Sequence, residues 1–184
     1  MRKRLFFVTG SPGTGKTSVL LKVIEVLSAR GYSVGGMLSR EVRSCERRVG
    51  FELLDLSSKR KGLLAHVNQK HGPRIGRYCV NLADLDQIGC EALDGALKNS
   101  NVIVIDEIGP MELCSSRFRE TVKRVAESGK LVIGTIHWRA RDGLINELKT
   151  REDAEICNVT YENRGELHET IVGKAVGFLA KTAK

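Results

Sequence analysis

Aromatic residues are scarce in this chain: Phe, Trp and Tyr make up 5% of its 184 residues. A surface that holds single-stranded nucleic acid by stacking successive bases needs many aromatic faces, and this composition speaks against one. The five cysteines are odd in number and include no C-x-x-C pair, which argues against a disulfide framework and against a zinc ribbon. Cys45, Cys79, Cys90, Cys114 and Cys157 read as reduced thiols, most of them buried. No apolar run approaches the ~18 residues of a membrane span. The basic start Met1-Arg2-Lys3-Arg4 is followed by only four apolar residues, Leu5 to Val8, too few for the apolar region of a signal peptide. The expectation is a cytoplasmic protein with no membrane partner. Internal repeats and low-complexity tracts are also missing, and 184 residues with 41% hydrophobic content fit one well-buried domain over 1–184.

What the chain does have is Gly10-Ser11-Pro12-Gly13-Thr14-Gly15-Lys16-Thr17, which fits the phosphate-loop pattern G-x-x-x-x-G-K-[ST] at every fixed position. Its context fits too. Leu5-Phe6-Phe7-Val8 reads as a buried strand before it, and apolar residues recur at helical spacing from Lys16 to Arg30 after it. The glycines let the loop curl so that successive N–H groups point inward, and the following helix adds the partial positive charge of its N-terminus. Such a nest binds phosphate oxygens. Lys16 is placed to reach the β- and γ-phosphates as a point charge, and the Thr17 hydroxyl to ligate the magnesium ion that accompanies a nucleoside triphosphate.

A second motif, Asn101-Val102-Ile103-Val104-Ile105-Asp106-Glu107, is a wholly apolar strand ending in two carboxylates, the Walker B pattern. Buried parallel strands look like this, and their C-terminal ends line the ligand crevice in such folds. Asp106 is the expected magnesium ligand beside Thr17, and Glu107 the group that orients or deprotonates an attacking water. Alone, the strand is a weak signal; paired with the loop it becomes a strong one.

Between the two motifs, Tyr32 to Leu38 and Arg48 to Leu56 read as strands close enough to form a hairpin whose tip is the charged run Glu41 to Arg48. The formal net charge is +8, and residues 39–77 carry ten Lys or Arg against four Asp or Glu. The bland account of this basic insertion is a solvated surface. The sharper one has Arg43, Arg47, Arg48 or Arg77 facing the phosphates, or the insertion touching nucleic acid. Tyr78-Cys79-Val80 reads as a short strand, Asn81 as the N-cap of a helix from Leu82 to Leu97, and Ser115 or Ser116 as the cap of the next helix. Leu131-Val132-Ile133 is another buried strand that runs out to Thr135 and His137. Thr135 is expected to sense the phosphates, while Arg139 and Arg141 stand as candidate γ-phosphate cations or as a solvated helix start. Helices are expected from Asp142 to Lys149 and from Glu166 to Lys181, with a strand Ile156 to Val159 between them. In the loop after that strand, Asn163 could hydrogen-bond a base edge and Arg164 stack on it; capping of the last helix is the competing role for Asn163.

The phosphate loop, the segment Asp106-Glu107-Ile108-Gly109-Pro110-Met111-Glu112-Leu113, the Arg77-Tyr78 stretch leading to Val80-Asn81-Leu82, and Glu162-Asn163-Arg164 together resemble the small archaeal, bacterial and animal nucleoside-triphosphatases, the cancer-related nucleoside-triphosphatase type. The resemblance spans nearly the whole chain. It implies a three-layer RecA-like α/β fold with a mainly parallel sheet, here with a β-hairpin insertion after the first helix. It also implies magnesium-dependent hydrolysis of ATP, GTP and other nucleoside triphosphates to diphosphate and phosphate with broad base tolerance. It leaves Glu112 open as a functional group or a helix cap. Two other readings stand beside it: a kinase passing the γ-phosphate to a small acceptor such as a nucleoside or nucleotide, and a nucleotide-switched RNA- or DNA-binding module.

Overall fold

The computed structural model describes residues 2–182. The first half of the chain runs β1 (Leu5–Thr9), α1 (Lys16–Ala29), β2 (Val34–Ser44), β3 (Arg47–Asp55), β4 (Lys61–His66), β5 (Arg74–Ile75) and β6 (Tyr78–Val80). One helical stretch follows, made of α2 (Leu82–Asp84), a π-helical segment (Leu85–Cys90) and α3 (Glu91–Asn99). The second half runs β7 (Val102–Ile108), a 3-10 turn (Glu112–Cys114), α4 (Ser116–Glu127), β8 (Leu131–Ile136), α5 (Gly143–Thr150), β9 (Ala154–Asn158) and α6 (Leu167–Thr182). Helix starts follow local chemistry: Asn81 Oδ1 accepts from the Asp84 amide at 3.2 Å, Ser115 Oγ from that of Phe118 at 3.0 Å, and Asp142 Oδ1 from that of Leu144 at 2.9 Å.

The strands form one sheet in the order β5-β6-β4-β3-β2-β7-β8-β1-β9. From β2 to β9 every pairing is parallel. This core is covered on both faces, which explains why Leu5 to Val8 and Val102 to Ile105 are uninterrupted apolar runs with no polar alternation. On one face α1 and α6 bring Val19, Leu20, Val23 and Ile171 against Phe6, Val104 and Ile133. On the other, α3, α4 and α5 bring Leu93, Phe118, Val122 and Ile145 against Phe7, Ile103 and Ile105. The expected three-layer α/β fold with a mainly parallel sheet is therefore observed.

The insertion is larger than a hairpin. β2 is at once a core strand and the first arm of an antiparallel extension that continues through β3, β4, β6 and β5. The charged run Glu41 to Arg48 is mostly paired strand, not the expected tip: the ladder reaches Ser44↔Arg47, leaving Cys45 and Glu46, both at positive φ, as a two-residue turn. Charges sit on this outer stretch of β2 and β3 because it is exposed, whereas farther in Leu53, Leu64 and Ala65 are covered by the Leu82–Asn99 helical stretch. All five cysteines are free thiols, with Cys79, Cys90 and Cys157 buried. Among the described residues no helix is long and apolar enough to cross a membrane.

Candidate nucleotide site

Residues 10–17 join the end of β1 to the start of α1. Gly15 sits at the helix start in the left-handed region, with φ 102°, where a side chain would be strained. At Gly10 a side chain would put its Cβ 2.7 Å from the carbonyl oxygen of Val159, so only glycine lets the loop pass beneath the segment following β9. Val159 ties that segment down by donating its N–H to the Thr9 carbonyl at 2.7 Å. Within the loop, Thr14 Oγ1 donates to the Ser11 carbonyl at 2.8 Å, and Lys16 Nζ donates to the carbonyls of Gly10 at 3.1 Å and Ser11 at 3.3 Å. No side chain caps α1 and its first turn holds no acidic residue. The amides and dipole of this helix end are thus open to an anion.

At the C-terminal end of β7, Asp106 is 2% exposed. Its Oδ1 accepts from the Thr135 hydroxyl at 2.6 Å, and the Thr17 side chain lies beside this carboxylate. Its Oδ2 is buried without any hydrogen-bond partner. Burial pushes the Asp106 carboxyl up to about 6, opposed by the Thr135 hydrogen bond and reinforced by the Glu107 charge. Glu107 is raised as well, by burial, with Lys16 pulling the other way. A methyl group on Gly109 would lie 3.2 Å from Glu112 Oε2 and 3.3 Å from Glu107 Oε1, so the two glutamates flank one small space. Glu112, 5% exposed, is pushed up to about 8 by burial first and by Glu107 second.

An orphaned buried carboxylate oxygen calls for an explanation. Oxygen ligands from Asp106 and Thr17 fit a hard divalent cation. Among the described residues no group of three or more His, Cys, Asp or Glu is arranged to hold a metal. A cation at this position would therefore complete its shell from water and phosphate oxygens, as magnesium characteristically does.

Loop and carboxylates open onto a cavity of about 650 Å³, within the range of small-molecule sites. Lys16, Thr17, Glu107, Glu112 and His137 line its inner end. His137 Nδ1 is buried without a partner, and burial together with Lys16 and Lys149 keeps the imidazole below its ordinary pKa, hence neutral at pH 7. A smaller hollow of about 240 Å³ lies against Gly15, Ser18, Lys22, Arg164 and Gly165, and the Arg164 guanidinium stands 5.2 Å from the Tyr161 ring centroid.

The sequence pattern of the NTPase family matches residues 5–172. The chain belongs to the NTPase family. It is 40% identical over 182 residues to the nucleoside-triphosphatase THEP1 of Thermofilum pendens, covering 98% of this chain and 100% of that protein. Its fold matches the crystal structure of THEP1 from the hyperthermophile Aquifex aeolicus with a TM-score of 0.79 and 29% identity, covering 92% of this chain and 97% of that one. It matches the solution structure of a human cancer-related nucleoside triphosphatase with a TM-score of 0.78 and 35% identity, covering 94% and 96%.

In this NTPase-family chain Lys16, Thr17, Asp106 and Glu107 come together as their motifs suggest. Thr135 does not face the cavity: it is fully buried, and its hydroxyl holds Asp106. Asn163 is engaged inside its own loop, with Oδ1 accepting from the Thr160 amide and Nδ2 donating to the Asn158 carbonyl, both at 2.9 Å. Of the six arginines considered from sequence, Arg48 alone lines the cavity. Arg43 pairs with Glu41 at 2.7 Å, Arg77 donates to the Arg48 carbonyl at 2.5 Å, and Arg139 stacks on Trp138 at 4.0 Å. Arg47 and Arg141 are exposed. Sequence reading missed the outer wall of the cavity, where Arg40, Phe51, Leu64 and Ile75 meet. The usable signal was Arg77-Tyr78 and a Phe51 three residues after Arg48, in a chain with few aromatic rings.

Proposed function

We propose that this chain hydrolyses the β–γ phosphoanhydride of nucleoside triphosphates to diphosphate and phosphate, with Mg²⁺ as cofactor and broad tolerance of the base. The observation that carries this reading is the carboxylate pair at the end of β7, a buried Asp106 with an unpartnered oxygen next to a half-buried Glu107 that lines the cavity with Lys16. When bound, Mg²⁺ offsets the negative charge on the β- and γ-phosphate oxygens; Thr17 and Asp106 would hold it. The open amides of the loop and α1 and the Lys16 ammonium bind the phosphates and stabilise charge as it builds on the bridging and γ-oxygens. Glu107 accepts a proton from the attacking water; its burial makes it a better base than a surface glutamate. The water oxygen bonds to the γ-phosphorus, and the bond to the β–γ bridging oxygen breaks.

Base tolerance follows from the smaller hollow. Arg164 can stack on any base, whereas the Asn163 amide is held by its own loop. The test is phosphate release from ATP, GTP, CTP and UTP with Mg²⁺ or with EDTA, and without any acceptor. We expect release from all four at comparable rates, slow in absolute terms at ~10⁻⁴–10⁻² s⁻¹, and loss of release in EDTA. Strict preference for one base would remove the tolerance, and undiminished release in EDTA would remove the metal.

A further inference from the structure

One buried acid in the cavity has no part in the steps above. Glu112 follows Glu107 by five residues, and the chain between them turns at Gly109-Pro110. The Leu113 amide then donates to the Gly109 carbonyl at 3.0 Å and the Ser115 amide to the Glu112 carbonyl at 3.1 Å, which closes the 3-10 turn Glu112–Cys114 against the end of β7. Two side chains tether this turn: Ser115 Oγ donates to Asp86 Oδ1 at 2.5 Å, and Arg119 Nε donates to the Leu113 carbonyl at 2.7 Å. Glu112 is thus carried on a fixed backbone back to the strand end that holds Glu107.

The two glutamates meet across Gly109. A Cβ there would lie 3.2 Å from Glu112 Oε2 and 3.3 Å from Glu107 Oε1, so their oxygens converge on one point and the absent side chain keeps the space between them clear. Gly109 is not in the left-handed region; what the glycine supplies is room. Both glutamates line the main cavity together with Lys16 and Thr17. Their surroundings differ. Lys16 lies close enough to Glu107 to favour its charged form, whereas the charges that bear most on Glu112 are those of Glu107 and Asp106, both negative. Glu112 is also the more deeply buried of the two. A pair split in this way takes two roles: the acid beside the cation keeps its charge, and the acid enclosed among carboxylates keeps its proton. An acid placed here only to cap the turn would cost stability through burial beside a like charge, and that cost points to a use in the site.

We propose that Glu112 is a second catalytic carboxyl, one that accepts a hydrogen bond from the attacking water while Glu107 takes that water's other proton. The proposal rests on the reading of Glu107 as the base. The neutral carboxyl of Glu112 accepts through its carbonyl oxygen and neither gains nor loses a proton. One water proton moves to Glu107, the water oxygen forms its bond to the γ-phosphorus, and the bond from that phosphorus to the β–γ bridging oxygen breaks. The nucleoside diphosphate leaves with the electron pair, and the second water proton stays on the oxygen as a hydroxyl of the phosphate product. Two acceptors fix the orientation of the water where one would let it turn, and in-line attack depends on that orientation.

The test measures single-turnover phosphate release from ATP, and affinity for β,γ-imido-ATP with Mg²⁺ by calorimetry, in the full chain carrying Glu112→Leu, Glu112→Gln, Gly109→Ala or Glu107→Gln. Glu112→Leu keeps bulk but removes the acceptor, and release should slow about ten- to a hundredfold, the range for one lost hydrogen bond, at unchanged affinity. Glu112→Gln keeps a neutral carbonyl acceptor and should stay close to the wild type. Gly109→Ala crowds the same space from the other side, so it should slow release without weakening binding, and it keeps the test open if Glu112→Leu does not fold. In the Glu107→Gln background Glu112→Leu should add little, because both residues act on one water. Wild-type release in Glu112→Leu or in Gly109→Ala, equal losses in Glu112→Leu and Glu112→Gln, or a slowing that follows weaker analogue binding overturns the role of Glu112; a slow Glu107→Gln in the same panel then leaves the hydrolase reading intact. Wild-type release in Glu107→Gln overturns both.

Discussion

Asp106 is bound on one side and free on the other. Thr135 supplies one hydrogen bond to Oδ1 from a fully buried position, and Oδ2 is buried with none. Replacing Thr135 with Val keeps shape but removes the donor. Loss of a partner behind a metal ligand costs about 10–100-fold in metal affinity, and stranding a second buried oxygen costs about 1–3 kcal/mol. Thr135→Val should therefore raise the Mg²⁺ concentration needed for half-maximal phosphate release and lower stability in urea; an unchanged metal titration would contradict its role. Glu112 makes a pH prediction. Its carboxyl rises from an ordinary 4.5 to about 8 because burial penalises the charged form. A carboxyl with a raised folded pKa contributes stability that is full below the unfolded value and is lost as pH rises through the folded one. In the absence of nucleotide and metal, thermal stability should fall between about pH 5 and 8, and Glu112→Gln should flatten that fall. A wild-type profile as flat as the variant's would show the site to be more solvated than its packing implies. At this scale the motif residues were legible because spacing alone fixes them. Thr135 was misread because its partner is 29 positions away, and no periodicity reports such a pairing. Glu112 was left undecided because its burial depends on how a 3-10 turn folds back under β7.

At the scale of elements, the phosphate loop is only as rigid as α1. Leu20 is fully buried between the sheet and α6, and Leu20→Ala should cost about 2–5 kcal/mol in denaturant unfolding. Unchanged stability would mean that α1 is not anchored as described. The strand, loop and helix around the phosphate motif could be read from sequence because a buried parallel strand is a continuous apolar run and the glycine spacing marks its end. The antiparallel extension was harder. Glu41 to Arg48 reads as a polar tip, yet on the exposed outer stretch of β2 and β3 charged residues are compatible with paired strand. β4 was missed because Lys59-Arg60-Lys61 obscures the short apolar stretch that follows. The single helix expected from Leu82 to Leu97 holds a π-helical segment at Leu85–Cys90, which its apolar spacing does not announce.

For the molecule as a whole, the five parallel strands bring loop, Asp106 and Glu107 to one edge, and the extension turns that edge into a cavity with a second wall. The net charge of +8 is concentrated in this extension, where it raises the local concentration of anionic ligands. Charge count could not say which arginines matter, because pairing with Glu41, stacking on aromatics and plain exposure are tertiary outcomes. On the proposed reading, hydrolysis at this edge depends on Glu107 acting on water while the loop holds the phosphates. Its most direct test compares nucleotide affinity with single-turnover phosphate release in the wild type and in Glu107→Gln. The account predicts unchanged triphosphate affinity by calorimetry and release slower by about 10²–10⁴-fold, the worth of general base catalysis. Equal release rates in the two proteins would contradict it.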